Sequence, residues 1–570
     1  MSSAPPSAPS GSPGSPAPRR RRHLSLTGVL RLRRPSEIWF KPALSSVAAV
    51  APPNLLLLAL GRLDLAMYTM AGSLCALYAH NRPYAARARV LAGVVLGMLG
   101  GVAVALVTAS LTRNAVVLVT VGALLAAVQK ALCDATRVGP PGNVVLTFIS
   151  SAALFVPQTL AQIPAHLALA AAAGAWAWLV GMAPSLVRPH GPERRATAQA
   201  LNAAAACAGD RGAGDGHAAA RAAGYAAVQN AWQTLLAVPA TGARAGTRHA
   251  LERLVVRAEV ALAAPADTDP EPLRAWARAL RGSGRIPRTG DGPAVADELL
   301  GADAELAASP APLRRRLGPT VPVAVRTALG CALAGYASLA LGIGRPYWAL
   351  VTAAALYQAN LTLTWSRAVQ RVVGNLAGVL LFAAIAPLAH LGPAPLVLLS
   401  LALNFGAEAL ITRNYWLGSV CVTPMALLIT EFAGYQEPGS LITERVVDTV
   451  VGALVGFLAA VAVTDRGAGN RVERALLAAD RAREHTARVL ADPEPSPRAL
   501  EPARRALAAA LTDLRATVDA AAGEWWGRAL PQERVVLAEQ SGHRTLAAAV
   551  RRRAARPELD TSARAEDVRP

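Results

Sequence analysis

Four ionisable residues lie where the surrounding sequence makes charge costly. Arg326, Glu408, Arg445 and Asp448 each fall inside a run of mostly hydrophobic residues, and an ionisable side chain in such a run is a functional candidate by default. An arginine suits a carboxylate because its planar fork can make two hydrogen bonds at once. The chemistry these types support is recognition of an organic anion by Arg326 or Arg445, with Glu408 or Asp448 handling a coupling proton. Arg445 and Asp448 are three residues apart, on one helical face where they can meet. A structural ion pair near the membrane surface is therefore the competing account.

Other candidates cluster nearby. Arg367 and Arg371 precede an apolar stretch, as a funnel concentrating anions or as topological anchors. Asn375, one turn beyond Arg371, lines either a helix contact or a path. Arg413-Asn414-Tyr415-Trp416 opens another apolar run, which Thr423-Pro424 interrupts. Proline removes a backbone donor and frees a carbonyl one turn earlier, and broken helices border substrate sites in transporters; a simple kink is the alternative. Tyr347, Trp348, Tyr415 and Trp416 can stack on an aromatic substrate or anchor the chain at the membrane interface.

No enzyme signature competes with these. The sequence has no Walker-type glycine loop with lysine, no HExxH, and no GxSxG on a strand-to-helix turn. Its five cysteines (Cys75, Cys133, Cys207, Cys331, Cys421) form no CxxC or Cys/His cluster. Neither a catalytic activity nor a metal or cofactor is expected.

The elements that must position these residues follow from composition. At 570 residues the chain is too long for one core. It is 53% hydrophobic and only 16% charged, with mean hydropathy +0.33, where soluble proteins carry about a quarter charged residues. A spanning helix needs about 20 mostly apolar residues. Six such runs lie near residues 42–60, 65–80, 90–107, 115–131, 144–161 and 166–186, and six more near 323–341, 347–363, 372–389, 395–411, 415–432 and 446–463. The expected fold class is all-α, a polytopic membrane protein with two six-helix units in parallel repeat and α-helical cytoplasmic domains. The division reads as a disordered basic tail (1–40), a first membrane unit (41–187), a helical domain (188–320), a second membrane unit (321–465) and a helical C-terminal region (466–570) with a disordered end. In the helical domain, Trp232, Leu235, Leu236, Leu251, Leu254 and Val255 have the spacing of packed faces.

The formal net charge of +20 is placed around the apolar runs, in the tail (Arg19 to Arg22, Arg31, Arg33, Arg34), the short loops and the C-terminal third. That is the positive-inside pattern. It puts both termini and the central domain on the cytoplasmic side. No continuous basic face calls for a nucleic-acid partner. Both halves also place arginines ahead of a glycine pair: Arg87 and Arg89 before Gly93 and Gly97, Arg367 and Arg371 before Gly374 and Gly378. Glycines at i and i+4 let membrane helices approach closely.

The second half carries an ordered motif series: Val325-Arg326-Thr327-Ala328-Leu329-Gly330, then Arg345-Pro346-Tyr347-Trp348-Ala349-Leu350-Val351-Thr352. Arg367-Ala368-Val369-Gln370-Arg371-Val372-Val373-Gly374-Asn375-Leu376-Ala377-Gly378 follows, and Glu444-Arg445-Val446-Val447-Asp448-Thr449-Val450-Val451-Gly452-Ala453 closes it. This series, over about 323–464, resembles the fusaric acid resistance protein-like (FUSC) family, allied to bacterial aromatic acid exporters, and is distantly similar to plant aluminium-activated malate transporters. The resemblance implies an inner-membrane protein that exports aromatic or other organic acids. A gradient-driven secondary exporter is the leading expectation; a channel-like organic anion pathway and a membrane scaffold binding envelope or regulatory partners are the alternatives. The expected partners are the lipid bilayer and a small organic anion, with room for a homo-oligomer and an accessory envelope protein.

Overall fold

The structure, a computed structural model, describes residues 28–32, 39–209, 215–237, 244–263, 268–282, 284–287, 317–358, 360–463, 468–493, 496–522 and 531–554, with 24, 26 and 265 as single positions. Most of the expected basic tail, the arginine run Arg314 to Arg316 and the expected disordered end lie outside the described residues.

Every regular element among the described residues is helical, the form in which a chain in lipid satisfies its own backbone. The first part of the chain runs α1 (Phe40–Ala59), α2 (Ala66–Ser73), α3 (Tyr84–Leu111), α4 (Ala115–Thr136), α5 (Val144–Leu154), α6 (Ile163–Met182) and a turn α7 (Pro184–Val187). Then come α8 (Gly191–Gly209), α9 (Asp215–Leu236), α10 (Arg244–Ala263) and α11 (Pro270–Arg281). The chain continues with α12 (Val321–Ala340), α13 (Tyr347–Leu356), α14 (Leu361–Ala389), α15 (Pro393–Ile411), α16 (Tyr415–Thr430) and α17 (Pro438–Ala462). It ends in α18 (Ala468–Ala491), α19 (Pro497–Ala522) and α20 (Gln532–Ala554).

The chain is a polytopic all-α membrane protein: among the described residues nine helices are long and apolar enough to cross a bilayer. Twelve spans were expected. The three other segments form shorter apolar helices, Leu63–Leu77, Val144–Leu154 and Tyr347–Leu356. At 1.5 Å per residue, ten or eleven residues reach about half of a ~30 Å hydrocarbon core. Local chemistry sets these stops. α5 ends at Leu154, with Pro157 close behind disfavouring helix before it. α13 ends at the extended Tyr357, and the Asn360 side chain then accepts from Leu363 N at 2.8 Å to start α14. Pro424, expected to break its run, sits inside the continuous helix α16. The carbonyl it leaves free, that of Val420, lies against Gly378, where an added Cβ would come within 2.9 Å of it.

The two halves pack crosswise, α1 against α15 and α4 against α12. Ser46 and Asn404 exchange hydrogen bonds at 3.0 and 3.2 Å across the first contact, and the Thr120 and Tyr336 hydroxyls meet at 2.7 Å across the second. Within each half the partner scheme recurs. α2–α6, α3–α5, α3–α6 and α4–α5 in the first half parallel α13–α17, α14–α16, α14–α17 and α15–α16 in the second. The glycine pairs do not recur so evenly. Gly374 and Gly378 sit against α16, whereas a Cβ on Gly93 or Gly97 meets nothing. Large apolar side chains such as Leu96 and Leu380, 69% and 73% exposed, face outward as a lipid-contacting surface requires.

Outside the apolar layer, α8–α11 enclose a core that includes Trp232, Leu235, Leu251, Leu254 and Val255, as their spacing predicted. α18–α20 enclose another around Leu476, Leu507, Leu511 and Leu514. The buried Glu259 joins them, accepting from Trp232 Nε1 at 2.8 Å and from Arg504 Nη1 at 2.5 Å.

Candidate functional site

A cavity of ≈ 3190 Å³ lies between the two halves, lined by α2, α4, α5, α8, α9 and α13–α17. Of the expected site residues, Tyr347, Trp348, Arg367, Arg371, Glu408, Asn414 and Arg445 line it; Arg326, Asn375, Trp416, Pro424 and Asp448 do not.

The short helix α13 places Tyr347 and Trp348 in the wall, both buried. Tyr347 and Trp348 have ring centroids 4.9 Å apart. From the first half, α5 brings Phe148 to 5.5 Å from Trp348, and Phe155 lies 5.6 Å from Tyr347. This four-ring cluster joins the halves where two half-length helices meet. Phe148 and Phe155 were not among the expected residues; both precede Pro157, and that break in the fifth apolar run was the available signal.

Arg445 on α17 sits with Cζ 4.0 Å above the Trp348 ring centroid, a favourable place for a cation. It is 1% exposed, yet its Nε and Nη1 have no hydrogen-bond partner among the described residues. The expected pair with Asp448 does not form among the described residues. Asp448 instead accepts from Ser338 Oγ on α12 at 2.6 Å, and its Oδ2 has no partner among the described residues. A buried guanidinium with donors unspent is costly, and each such group in a folded protein calls for an account.

Nearby, Tyr415 is held between two arginines: Arg371 Nη1 donates to its hydroxyl at 2.9 Å, and Arg367 Cζ lies 3.9 Å from its ring centroid. Glu408 lines the cavity from α15, half-buried, with no hydrogen bond or ion pair among the described residues. Arg345, another residue not expected, closes a corner of the wall by bonding Glu444 and Gln436. In the first half Tyr68 stacks on His166 at 3.9 Å, with Gln158 bonded to both.

The residues that miss the cavity have structural partners. Arg326 Nε donates to Val463 O at 2.9 Å, satisfying a carbonyl at the end of α17. Asn375 donates to Thr449 Oγ1 at 3.0 Å and accepts from Thr423 Oγ1 at 2.7 Å, tying α14 to α17 and α16. Asn414, from the cavity wall, and Trp416 both bind the chain's own Gly28–Leu32 segment. Asn414 Nδ2 donates to Val29 O and Arg31 O at 3.1 and 3.0 Å, Trp416 Nε1 to Leu30 O at 3.2 Å, and Gln370 Nε2 to Val29 O at 2.9 Å.

Charge around the cavity is one-sided: eleven Arg or Lys side chains line it against three Asp or Glu. Such a wall concentrates anions and repels cations. Among the described residues no group of three His, Cys, Asp or Glu is placed to hold a metal ion.

Residues 331–459 match the family described as Fusaric acid resistance protein-like. A 123-residue stretch is 36% identical to the "Uncharacterized membrane protein YvaC" of Bacillus subtilis (strain 168), covering 21% of this chain and 19% of that protein. The chain thus matches about a fifth of that curated relative's length. No solved structure matches. The chain is a multi-pass membrane protein related, over part of its length, to the fusaric acid resistance protein-like family, and the related stretch holds Tyr347, Trp348, Arg371, Glu408 and Arg445.

Proposed function

We propose that this protein is a gradient-driven secondary transporter that exports small organic acids, aromatic ones foremost, across a bacterial inner membrane. The observation that carries the reading is Arg445, buried in the cavity wall with Nε and Nη1 free of hydrogen-bond partners among the described residues and Trp348 beneath it. A carboxylate is the group that a two-donor fork pairs with best. Phe148, Phe155 and Tyr347 provide the apolar, π-faced surroundings for the ring of such an acid.

We read the membrane part as two six-helix units in parallel repeat, and the recurring packing scheme of the two halves fits that reading. Their second helices, α2 and α13, and the fifth helix of the first, α5, reach only part way, and interrupted helices at a repeat interface border transport sites. The unpartnered Glu408 is the residue proposed to take up the coupling proton. Arg371 and Arg367 hand the anion inward, and the α8–α11 and α18–α20 bundles lie on the cytoplasmic side with both termini.

Flux in proteoliposomes holding the full chain tests this. Benzoate should move faster than cyclohexanecarboxylate, which has the same charge and similar size without the π face. Arg445→Ala should abolish both fluxes. Transport should respond to an imposed pH gradient and lose that response in Glu408→Gln. Flux that follows membrane potential alone and ignores pH would replace the exporter by a channel-like anion pathway.

A further inference from the structure

The cavity does not end with the apolar helices. Its wall continues onto α8 and α9, where Arg195, Gln199 and Asn202 line it from one helix and Asn230 and Gln233 from the other. These positions are spaced i, i+4, i+7 along α8 and i, i+3 along α9, so each set forms one stripe on its helix. The helices pack side by side, and Arg89 Nη2 donates to Ala237 O at 3.5 Å, holding the end of α9 against the base of α3. The polar stripes thereby belong to the wall of the same cavity.

The chemistry of the stripes is selective. Soluble helices of this chain carry both charge signs elsewhere, as in Arg248 and Glu252, paired at 2.7 Å on α10. Here the two faces offer four carboxamides, one arginine and no acid. The same cavity wall also carries Arg137, Arg367 and Arg413. Amides donate two hydrogen bonds and accept two, so they can hold a carboxylate and also a hydroxyl or ring nitrogen beside it. Being neutral, they do so without the tight grip of a buried ion pair.

We propose that α8 and α9 form a capture site for small carboxylates at the cytoplasmic mouth, one step before Arg371 and Arg445. The proposal rests on the transport reading for its direction, yet it assigns the soluble bundle a binding role of its own. The bundle is then part of the path that an anion takes, and its amide face adds selectivity where the basic rim adds attraction.

The probe is 4-fluorobenzoate, its ¹⁹F line width followed as full-length protein in nanodiscs is added. Arg445→Ala should remove part of the broadening and leave the part due to the mouth. Adding Asn202→Asp and Gln233→Glu, near-isosteric changes that place two carboxylates on the stripes, should remove the rest. In the Arg445-intact chain the same double change should raise the apparent KM from the cytoplasmic side about tenfold with Vmax kept, the effect of like charge facing an incoming anion. If the acidic double variant is poorly folded by its thermal midpoint, Asn202→Ala with Gln233→Ala takes its place. Loss of all broadening in Arg445→Ala alone, or a KM unchanged by the stripe variants, overturns the capture site and leaves the transport reading standing. Transport that survives Arg445→Ala sinks the transport reading, and broadening that still depends on Asn202 and Gln233 then upholds the capture site by itself.

Discussion

Arg445 holds its guanidinium carbon 4.0 Å above the centre of the Trp348 ring, with Nε and Nη1 unpartnered among the described residues. The ring supports the cation from one face and leaves the edge of the fork available. Burial without a direct ion pair or full hydrogen bonding makes the arginine a poor contributor to stability. Arg445→Met should therefore keep or raise the thermal midpoint while benzoate flux falls by about a hundredfold or more, as for loss of one partner of a buried charge pair. Arg445→Lys, which keeps the charge but not the fork, should recover part of the flux. A midpoint that drops steeply in Arg445→Met with flux intact would assign the residue to structure alone.

The glycines of α14 and α3 look alike in sequence and differ in surroundings. A Cβ at Gly374 would lie 2.5 Å from Trp416 O and from Ser419 Cβ, whereas one at Gly97 meets nothing within 4 Å. Gly374→Ala must push α14 and α16 apart and should cost about 1–3 kcal/mol, the usual range for overpacking. Gly97→Ala should be neutral or slightly stabilising, since alanine is the better helix former by up to about 1 kcal/mol. Thermal unfolding of the two variants in the same detergent decides this; equal shifts would mean that the close α14–α16 contact is absent.

That contrast shows what the sequence makes legible. Hydropathy locates the apolar helices because lipid and protein interiors select the same side chains. For that very reason it cannot tell a full span from a half span: Val144–Leu154 and Tyr347–Leu356 are as apolar as helices twice their length. The lone charges were readable as costly, and Arg445, Arg371 and Glu408 do line the cavity. Their partners were not readable, because they depend on which helices meet. Arg326 turned out to serve a helix end, Asp448 found Ser338 rather than Arg445, and Phe148 and Phe155 joined the site from the other half.

Asn414 has two tasks that sequence spacing does not separate. Its side-chain oxygen caps α16 by accepting from Trp416 N at 3.4 Å, while its nitrogen holds Val29 O and Arg31 O. Val29 is buried there, 8% exposed, and all five native cysteines are buried too. A Val29→Cys chain should thus react slowly with a maleimide. Adding Asn414→Ala and Gln370→Ala removes three donor bonds worth about 1 kcal/mol each, and labelling should quicken about tenfold or more. Unchanged labelling would show that the segment stays put without them.

The join between the soluble bundles should be acid-sensitive through one histidine. His543 on α20 stacks on Tyr225 of α9 with ring centroids 4.3 Å apart, and its Nδ1 has no hydrogen-bond partner among the described residues. Burial first, and then the nearby Arg221 charge, push its pKa down to about 4. An unfolded histidine titrates near 6.5. Above that pH neither state holds the proton, and the ring contributes no pH dependence. As pH falls from about 6.5 towards 4, the unfolded chain takes up a proton that the folded one refuses, so stability declines with falling pH. The loss should be on the order of 1–2 kcal/mol by pH 5. His543→Phe keeps the stacking ring and cannot titrate, so it should flatten that part of the profile. Thermal midpoints of full-length protein at pH 7.5, 6.5, 5.5 and 5.0 test this directly. A slope between 6.5 and 5.0 that is as steep in His543→Phe as in the parent would place the acid sensitivity elsewhere.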